Sequence, residues 1–516
     1  MSVDLEKSSE YSPSASGSGR HSATSNIVSP AVADSRQPDE SRRWKLDMRA
    51  IPTLSVMYLL YTLDRSAIDY AVDDKSFMLF GTDHGTSRVY KGIYYLGFCL
   101  FVLPTALLLP KLGSRTVLPL LMACWGAMTM IEAGASSWAG LAAVQFFVGA
   151  FQSGFWACVV VYLSDLYKRN ELGLRLALVF GLGTVLGSFN GAISYSVLEL
   201  GSSSLAGWKI LVLIEGGITI GLAPVAFLVL PRSFERSEDA QAQAVADKKA
   251  GRTMDETIAN SSALTAIFDK HTIAYAVIAV FLGASASSCE LVIYQMMKTL
   301  STGTMSESLN TVAIYAFGFF ILMFLAASSD FYHERSTHIG AALTASLVAM
   351  VNLTLVYYIH KRDSAWFCSF MLAVCVFITP LFHAWYSNNT ATKSARVGVV
   401  GIVVGAFHVG DLFGWLAFWN ATFATSSKSS TRGGGSHKRA SVSARAALTT
   451  TTDDLQGLKS ACAYMVVAIL AIFAYGAWLK KENRKRSTQQ AFGKVEGISA
   501  GSEADGRGTA AWRWTE

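Results

Sequence analysis

The sequence predicts an all-α membrane protein of twelve transmembrane helices in two six-helix bundles. The composition is the first reason. Of 516 residues, 52% are hydrophobic and 16% charged, and mean hydropathy is +0.35. Water-soluble globular chains carry about 25% charged residues. The second reason is spacing. Apolar runs of spanning length lie near 51–72, 89–109, 116–135, 139–164, 176–198, 209–230, 272–295, 309–328, 337–358, 365–387, 397–419 and 458–479. Each span needs roughly 20 apolar residues, so twelve use about 250. What is left suffices for tails and loops but not for a second large domain. The third reason is the polar insertion 231–271, which divides the runs into two sixes. Each run is read as a helix, because hydrocarbon offers no water to satisfy the backbone.

The elements then follow in order. Residues 1–45 are Ser-rich and polar and read as a disordered cytoplasmic tail. The N-terminal bundle is 46–230, the cytoplasmic linker 231–271 and the C-terminal bundle 272–480. A Ser/Thr/Gly-rich outer loop, 421–456, interrupts the second bundle, and 481–516 form a cytoplasmic tail. Orientation comes from Lys and Arg. Arg42, Arg43, Lys45, Arg49, Lys111, Arg115, Lys168, Arg169, Arg175, Lys248, Lys249, Arg335, Lys393, Arg396, Lys480 and Lys481 fall on one side. That side is cytoplasmic by the positive-inside rule, and it holds both termini. Lys361–Arg362 and Lys438–Arg439 dissent from outer loops. Two short loops, Pro110–Arg115 (PKLGSR) and Ser329–Arg335 (SDFYHER), occupy equivalent places in the two halves and suggest an internal repeat.

Several function classes are excluded. The seven cysteines lie inside apolar runs without a CxxC pair, so neither a disulfide framework nor a zinc site is expected. The net charge of +6 is spread between spans, which argues against nucleic acid as a partner. No GxxxxGK[ST] phosphate loop and no nucleophile elbow occur, so direct ATP use and enzymatic chemistry lack support, and no cofactor is expected. Secondary transport is the remaining reading.

Polar residues inside spans are its candidate machinery. A charge at mid-membrane costs roughly 2.5–3.5 kcal/mol on insertion scales, so it needs a partner or a water-filled cavity. Asp64 and Arg65 adjoin in span one. Arg65 is the candidate clamp for a substrate carboxylate, through its bidentate fork. Asp64 is the candidate proton carrier, and the alternative for both is a structural ion pair. Glu290 and Asp411 are further proton-coupling candidates, while His383 and His408 read first as satisfied interhelical hydrogen bonds. Gly183, Gly187 and Gly191 form a small-residue stripe for close helix packing. Tyr94 and Trp385 are among the aromatics available to line a pocket.

The order of these residues resembles a known family. Trp44–Ala71 (WKLDMRAIPTLSVMYLLYTLDRSAIDYA), Pro104–Gly126, Tyr167–Arg175 (YKRNELGLR), Gly207–Gly216 (GWKILVLIEG), Ser329–Gly340 and Trp385–Gly398 (WYSNNTATKSARVG) carry the likeness. It is to the anion:cation symporter branch of the major facilitator superfamily, in its fungal allantoate permease-like subfamily. The resemblance implies the major facilitator fold, alternating access, a monomer, and a multi-pass place in the fungal plasma membrane. It implies small carboxylate or vitamin cargo, such as allantoate, nicotinate, pantothenate or biotin, moved with protons. Carried over by position, Asp64 looks like the proton-linked acid and Arg65 like the carboxylate clamp. Asn388, Asn389, Lys393 and Arg396 match the span-ten pattern. Two positions depart from the family: Gln145 stands where an Arg is usual, and Gln152 where a Glu tied to proton coupling is usual. A Gln releases no proton.

The expected partners are thus an organic anion, protons and the bilayer. A proton-independent uniporter or exchanger on the same fold, and a non-transporting nutrient sensor, are the alternatives. Asn420 heads a glycosylation sequon on the outer side, close to span eleven.

Overall fold

The computed structural model describes residues 40–71, 84–198, 200, 206–231, 263–301, 304–356, 362–390, 392–418 and 452–491. The chain separates into Met1–Lys45, whose described part is the helical stretch 40–45, and Leu46–Glu516, which holds everything else. The expected tail through residue 39, most of the 231–271 linker, most of the 421–456 loop, Asn420, and residues 492–516 lie outside the described residues.

Every regular element among the described residues is helical. The first half comprises α1 (Glu40–Ala71), α2 (His84–Leu112), α3 (Ser114–Glu132), α4 (Trp138–Leu166), α5 (Leu172–Gly187), α6 (Asn190–Leu198) and α7 (Gly207–Val229). The second comprises α8 (Lys270–Leu300), α9 (Thr304–Tyr332), α10 (Ser336–Val356), α11 (Arg362–Phe377), α12 (Thr379–Asn388), α13 (Lys393–Ala417) and α14 (Thr452–Ala491). Spans five and ten are each broken into two helices. Span five breaks after Gly187, where Ser188 turns its hydroxyl onto the Val185 carbonyl. Span ten breaks at Ile378, before Pro380, which has no N–H for the ladder.

Eleven of these spans, with α5–α6 and α11–α12 each counted as one, are long and apolar enough to cross a membrane. The twelfth, α1, is 32 residues long but starts with a charged stretch and carries Asp64 and Arg65 in its second half. Its low apolarity is the trace of those charges. In the first half α3 packs on α7 and α4, and α2 packs on α4. In the second, α8 packs on α13, α11 and α14, and α10 packs on α11 and α14. The halves meet where α13 lies against α2, α9 against α5 and α6, and α12 against α5.

Small residues set the close approaches. A Cβ on Gly183 would fall 2.5 Å from Tyr58 Cδ1, and one on Gly187 would fall 2.6 Å from Thr62 Oγ1. Gly183 and Gly187 of the expected stripe therefore pack α5 onto α1, while Gly191 lies past the break, in α6.

Short loops make neighbouring helices antiparallel. The end of the molecule where α1 begins is called the near end, and its opposite the far end. The two counterpart loops both lie at the near end and both contain a left-handed residue. Gly113 has φ 76° and His333 has φ 57°, each two residues before an arginine, Arg115 or Arg335. Glycine takes this conformation freely, and histidine takes it at a steric cost. Arg115 donates to the Phe227 carbonyl at 3.1 and 3.0 Å. Arg335, almost fully buried, pairs with Asp330 and donates to the Arg169 carbonyl at 3.2 Å.

Asp330 also accepts from the Leu174 backbone N–H at 2.8 Å. The N-cap residue of α5, Glu171, makes no side-chain cap bond. A carboxylate from the other half thus caps α5, where an anion favours the helix dipole. Nearby, Arg396 of α13 donates to the Ser164 hydroxyl at 3.1 Å and pairs with Asp165 at 3.4 Å. Asn388 donates to the Arg169 carbonyl at 2.9 Å. The near end is therefore latched shut.

Two outcomes are expected. Asp330→Ala leaves α5 uncapped and Arg335 unpaired, so cysteines introduced beside Arg169 should label with thiol reagents several-fold faster, in keeping with the loss of about 1–3 kcal/mol for an orphaned charged hydrogen bond. The second concerns Glu334, in the loop after α9, whose carboxyl sits below the usual range because Lys480 donates to it at 2.9 Å. A lowered carboxyl stabilises the fold above its unfolded pKa of about 4.3 and ceases to do so as pH falls through the folded value. Melting curves from neutral pH to about pH 4 should lose that increment in wild type and lose less in Lys480→Ala, where the Thr337 hydroxyl still donates to the carboxyl.

Candidate functional site

Asp64 and Arg65 are adjacent in α1, so their side chains leave the helix about 100° apart. They do not pair. Asp64, 3% exposed, turns toward α3 and α7. Its Oδ2 accepts from Trp125 Nε1 at 3.0 Å and from Thr219 Oγ1 at 2.7 Å. Its Oδ1 is buried without a hydrogen-bond partner. These bonds exist because α3 and α7 nearly touch: a Cβ on Gly126 would lie 2.8 Å from Thr219 Cγ2. Asp64 is thus tied to its neighbouring helices by neutral donors.

Arg65 turns the other way, toward α2. It donates to Tyr95 Oη at 2.7 Å, and its guanidinium carbon lies 5.6 Å from the centroids of both the Tyr94 and Tyr95 rings. Tyrosine faces attract a cation, while the guanidinium keeps other N–H donors for an anion. Asp411 of α13 lies within electrostatic reach of Arg65, and Glu290 of α8 within reach of Asp411 and Tyr95. Arg65, Tyr94, Glu290 and Asp411 are therefore brought to one region between the halves, although they come from α1, α2, α8 and α13.

Aromatic rings wall that region. Tyr58, Tyr61 and Phe155 stack at centroid distances of 5.4–6.2 Å. Trp156 stacks on Phe180 at 3.8 Å and lies 5.0 Å from the His383 ring. His408 stacks on Phe98 at 3.9 Å, shares its Nδ1 with the Val404 carbonyl at 2.9 Å, and is 4.0 Å from Asp411. His383 Nδ1 is bonded to Tyr386 Oη at 2.8 Å. Both hydrogen bonds run within the histidine's own helix, not between helices, and His383 Nε2 is buried without a partner.

Gln152 is fully buried at the hub of the tyrosines. Its Oε1 accepts from Tyr94 Oη at 2.8 Å, its Nε2 donates to the Tyr61 carbonyl at 3.4 Å, and Tyr61 Oη and Tyr94 Oη are 3.3 Å apart. Gln145, buried about two turns of α4 away, leaves its Oε1 without a hydrogen bond.

The span-ten residues lie elsewhere. Asn388 sits in the near-end latch, Asn389 donates to Tyr275 Oη at 2.6 Å, and Trp385 is buried against Tyr275 and Tyr475 at 5.3 and 5.8 Å.

The sequence reading passed over two groups, Glu132 at the end of α3 and Glu215 on α7. They are 2% and 3% exposed. Both lie within electrostatic reach of Asp64. The signal for Glu215 was present, since it stands inside the apolar run 209–230.

The pattern of the Major Facilitator Superfamily matches residues 54–418, from near the middle of α1 to the end of α13. The chain belongs to the major facilitator superfamily. This superfamily member is 33% identical to the MFS-type transporter efuF of Hormonema carpetanum, over 100% of this chain and 99% of that protein. It is 28% identical to the major facilitator-type transporter hxnP of Emericella nidulans, over 91% of this chain and 92% of that protein. It is 27% identical to the high-affinity nicotinic acid transporter of Saccharomyces cerevisiae, over 69% and 68%. The solved structure of the proton:xylose symporter XylE with 6-bromo-6-deoxy-D-glucose is similar in fold, with TM-score 0.60 at 15% identity, over 85% of this chain and 97% of that one. The superfamily member is thus a multi-pass membrane transport protein with the two-bundle fold, and its named relatives are transporters rather than enzymes.

Stability separates the two roles of the Asp64 oxygens. Asp64→Asn keeps an acceptor for Trp125 and Thr219, whereas Asp64→Ala orphans both donors. Thermal melts of the detergent-solubilised protein should show Asp64→Ala about 1–3 kcal/mol less stable than Asp64→Asn.

Proposed function

We propose that the protein carries a small organic anion, a carboxylate or vitamin of the allantoate, nicotinate or pantothenate kind, across the fungal plasma membrane by proton symport. The observation that carries this is Arg65: a guanidinium held within the span region between two tyrosine faces, with donors left for a carboxylate. The cation fixes the charge of the cargo, and the rings of Tyr94, Tyr95 and Tyr61 favour a compact or planar body. The nicotinic acid transporter among its relatives supports the same class of cargo.

In this reading the chain belongs to the anion:cation symporter branch, in its allantoate permease-like subfamily. The near end is cytoplasmic, both termini are inside, and the chain works as a monomer. Asp411 lies within electrostatic reach of Arg65 and competes with the anion for it, so Asp411 protonation and anion binding favour one another, and Glu290, near Asp411, is the further proton-coupling candidate. Asp64 is the proton site on the opposite side of α1. Asn388, Asn389 and Trp385 act on cargo through α12, whose Asn388 belongs to the near-end latch. The shut near end corresponds to a form waiting for cargo from outside.

A second reading, proton-independent uniport or exchange, is favoured by Gln152, which is held by Tyr94 Oη and the Tyr61 carbonyl and releases no proton. Uptake of labelled nicotinate, pantothenate and allantoate in yeast lacking its own permeases separates the two. Symport predicts uptake that rises at acidic pH and collapses with a protonophore. Exchange predicts indifference to both. Arg65→Ala should lower uptake by about a hundredfold, the usual effect of losing a paired charge contact worth about 3 kcal/mol, and wild-type uptake by that variant would sink the carboxylate clamp.

A further inference from the structure

The N-terminal half contains a second set of titratable groups that the Arg65 region does not use. Asp64, Glu215 and Glu132 come from α1, α7 and α3 and are all at least nine-tenths buried. Neither oxygen of Glu215 has a hydrogen-bond partner, and Glu132 Oε2 and Asp64 Oδ1 also lack one. A buried carboxylate with no partner is costly, and interacting carboxyls share protons as a unit.

Their placement follows from the helix packing. Gly126 and Gly216 bring α3 and α7 together: a Cβ on Gly216 would lie 2.7 Å from the Gly126 carbonyl oxygen. Thr219, level with Gly126, holds Asp64. Glu215 precedes Thr219 by four residues, about 6 Å toward the far end, and Glu132 follows Gly126 by six, about 9 Å in the same direction. The three carboxyls therefore climb in the order Asp64, Glu215, Glu132. Glu215 is within electrostatic reach of both others, and Glu132 of Asp64.

The surroundings supply no counter-charge. From α2 the Tyr90 hydroxyl acts on Glu132, and Tyr90 packs with Trp208, Val212 and Leu141 in a small far-end core. From α3 and α7 the partners of Asp64 are Trp125 and Thr219. Lys209, on α7, lies over the Trp208 ring, and Arg65 is turned to α2. Among the described residues, the charges acting on Glu215 and Glu132 belong to the trio itself.

We propose that Glu132, Glu215 and Asp64 form a proton ladder that feeds Asp64 from the far end, behind α1 and apart from the anion region, and that it does the proton work Gln152 does not. Each step moves one proton from a carboxyl O–H to a neighbouring carboxylate, directly or through a water, so charge and atoms balance along the ladder. As a coupling device the ladder rests on the symport reading. As a proton-binding unit it does not.

The test uses the full-length protein in lipid vesicles and two readouts. The first is nicotinate transport, as uptake driven by a pH gradient and as nicotinate–nicotinate exchange at equal pH. Glu215→Gln should lower gradient-driven uptake by about tenfold or more and keep exchange within about twofold, with Glu215→Asp recovering part of the gradient-driven uptake. Full gradient-driven uptake in Glu215→Gln, or loss of exchange alongside it, overturns the ladder. The second readout is an infrared titration of the carboxyl C=O band with no substrate present. Glu215→Gln should remove one protonated carboxyl and shift the titration of Asp64, identified by Asp64→Asn, by about one pH unit. An unshifted Asp64 overturns the ladder even where wild-type symport stands. A shifted Asp64 beside wild-type uptake that ignores pH overturns symport and supports the ladder as a proton-binding unit.

Discussion

Two opposite charges on consecutive residues of one membrane helix must both be solvated by protein, and the N-terminal half is arranged around that demand. Consecutive positions on a helix face different neighbours, so one partner cannot serve both Asp64 and Arg65. Arg65 is met by the tyrosines of α2. Asp64 is met by Trp125 and Thr219 across the α3–α7 contact. The glycines at that contact, the tyrosines of α2 and the weak apolarity of α1 all follow from housing these two charges.

The same geometry separates two kinds of chemistry by the thickness of a helix. On one side of α1 lie a cation, aromatic faces and two acids from the other half, which is a setting for an anion. On the other side lie three carboxyls with no cation among them, which is a setting for protons. The near-end latch joins the halves through Asp330, Arg335, Arg396 and Asn388. Its bonds go largely to backbone groups of the other half, so it can release as a unit when the halves rock.

Part of the candidate site was legible before folding was considered. Charges in an apolar run announce themselves by their cost, which is why Asp64, Arg65, Glu290 and Asp411 stood out; Asp411 and Glu290 come to the Arg65 region, while Asp64 turns away from it. Glu215 carried the same signal within GWKILVLIEG, and Glu132 stood at the margin of its run, where a charge is ordinarily solvated. Asn388 and Asn389 entered by resemblance alone, and resemblance does not say whether an amide points to cargo or to a neighbouring loop.

The sequence alone determined the order of the spans, because twenty apolar residues in hydrocarbon have no other regular conformation, though not the breaks that divide spans five and ten. It also marked the two counterpart loops, Pro110–Arg115 and Ser329–Arg335, whereas the left-handed residue each contains is seen only in the structure. Only the tertiary structure decided which polar groups meet. Asp64 and Arg65 are neighbours in the chain yet serve different sides, while Asp64, Glu132 and Glu215 are far apart in the chain and share one recess. Hydropathy is a property of each segment by itself, whereas the direction of a side chain depends on which helix lies across from it.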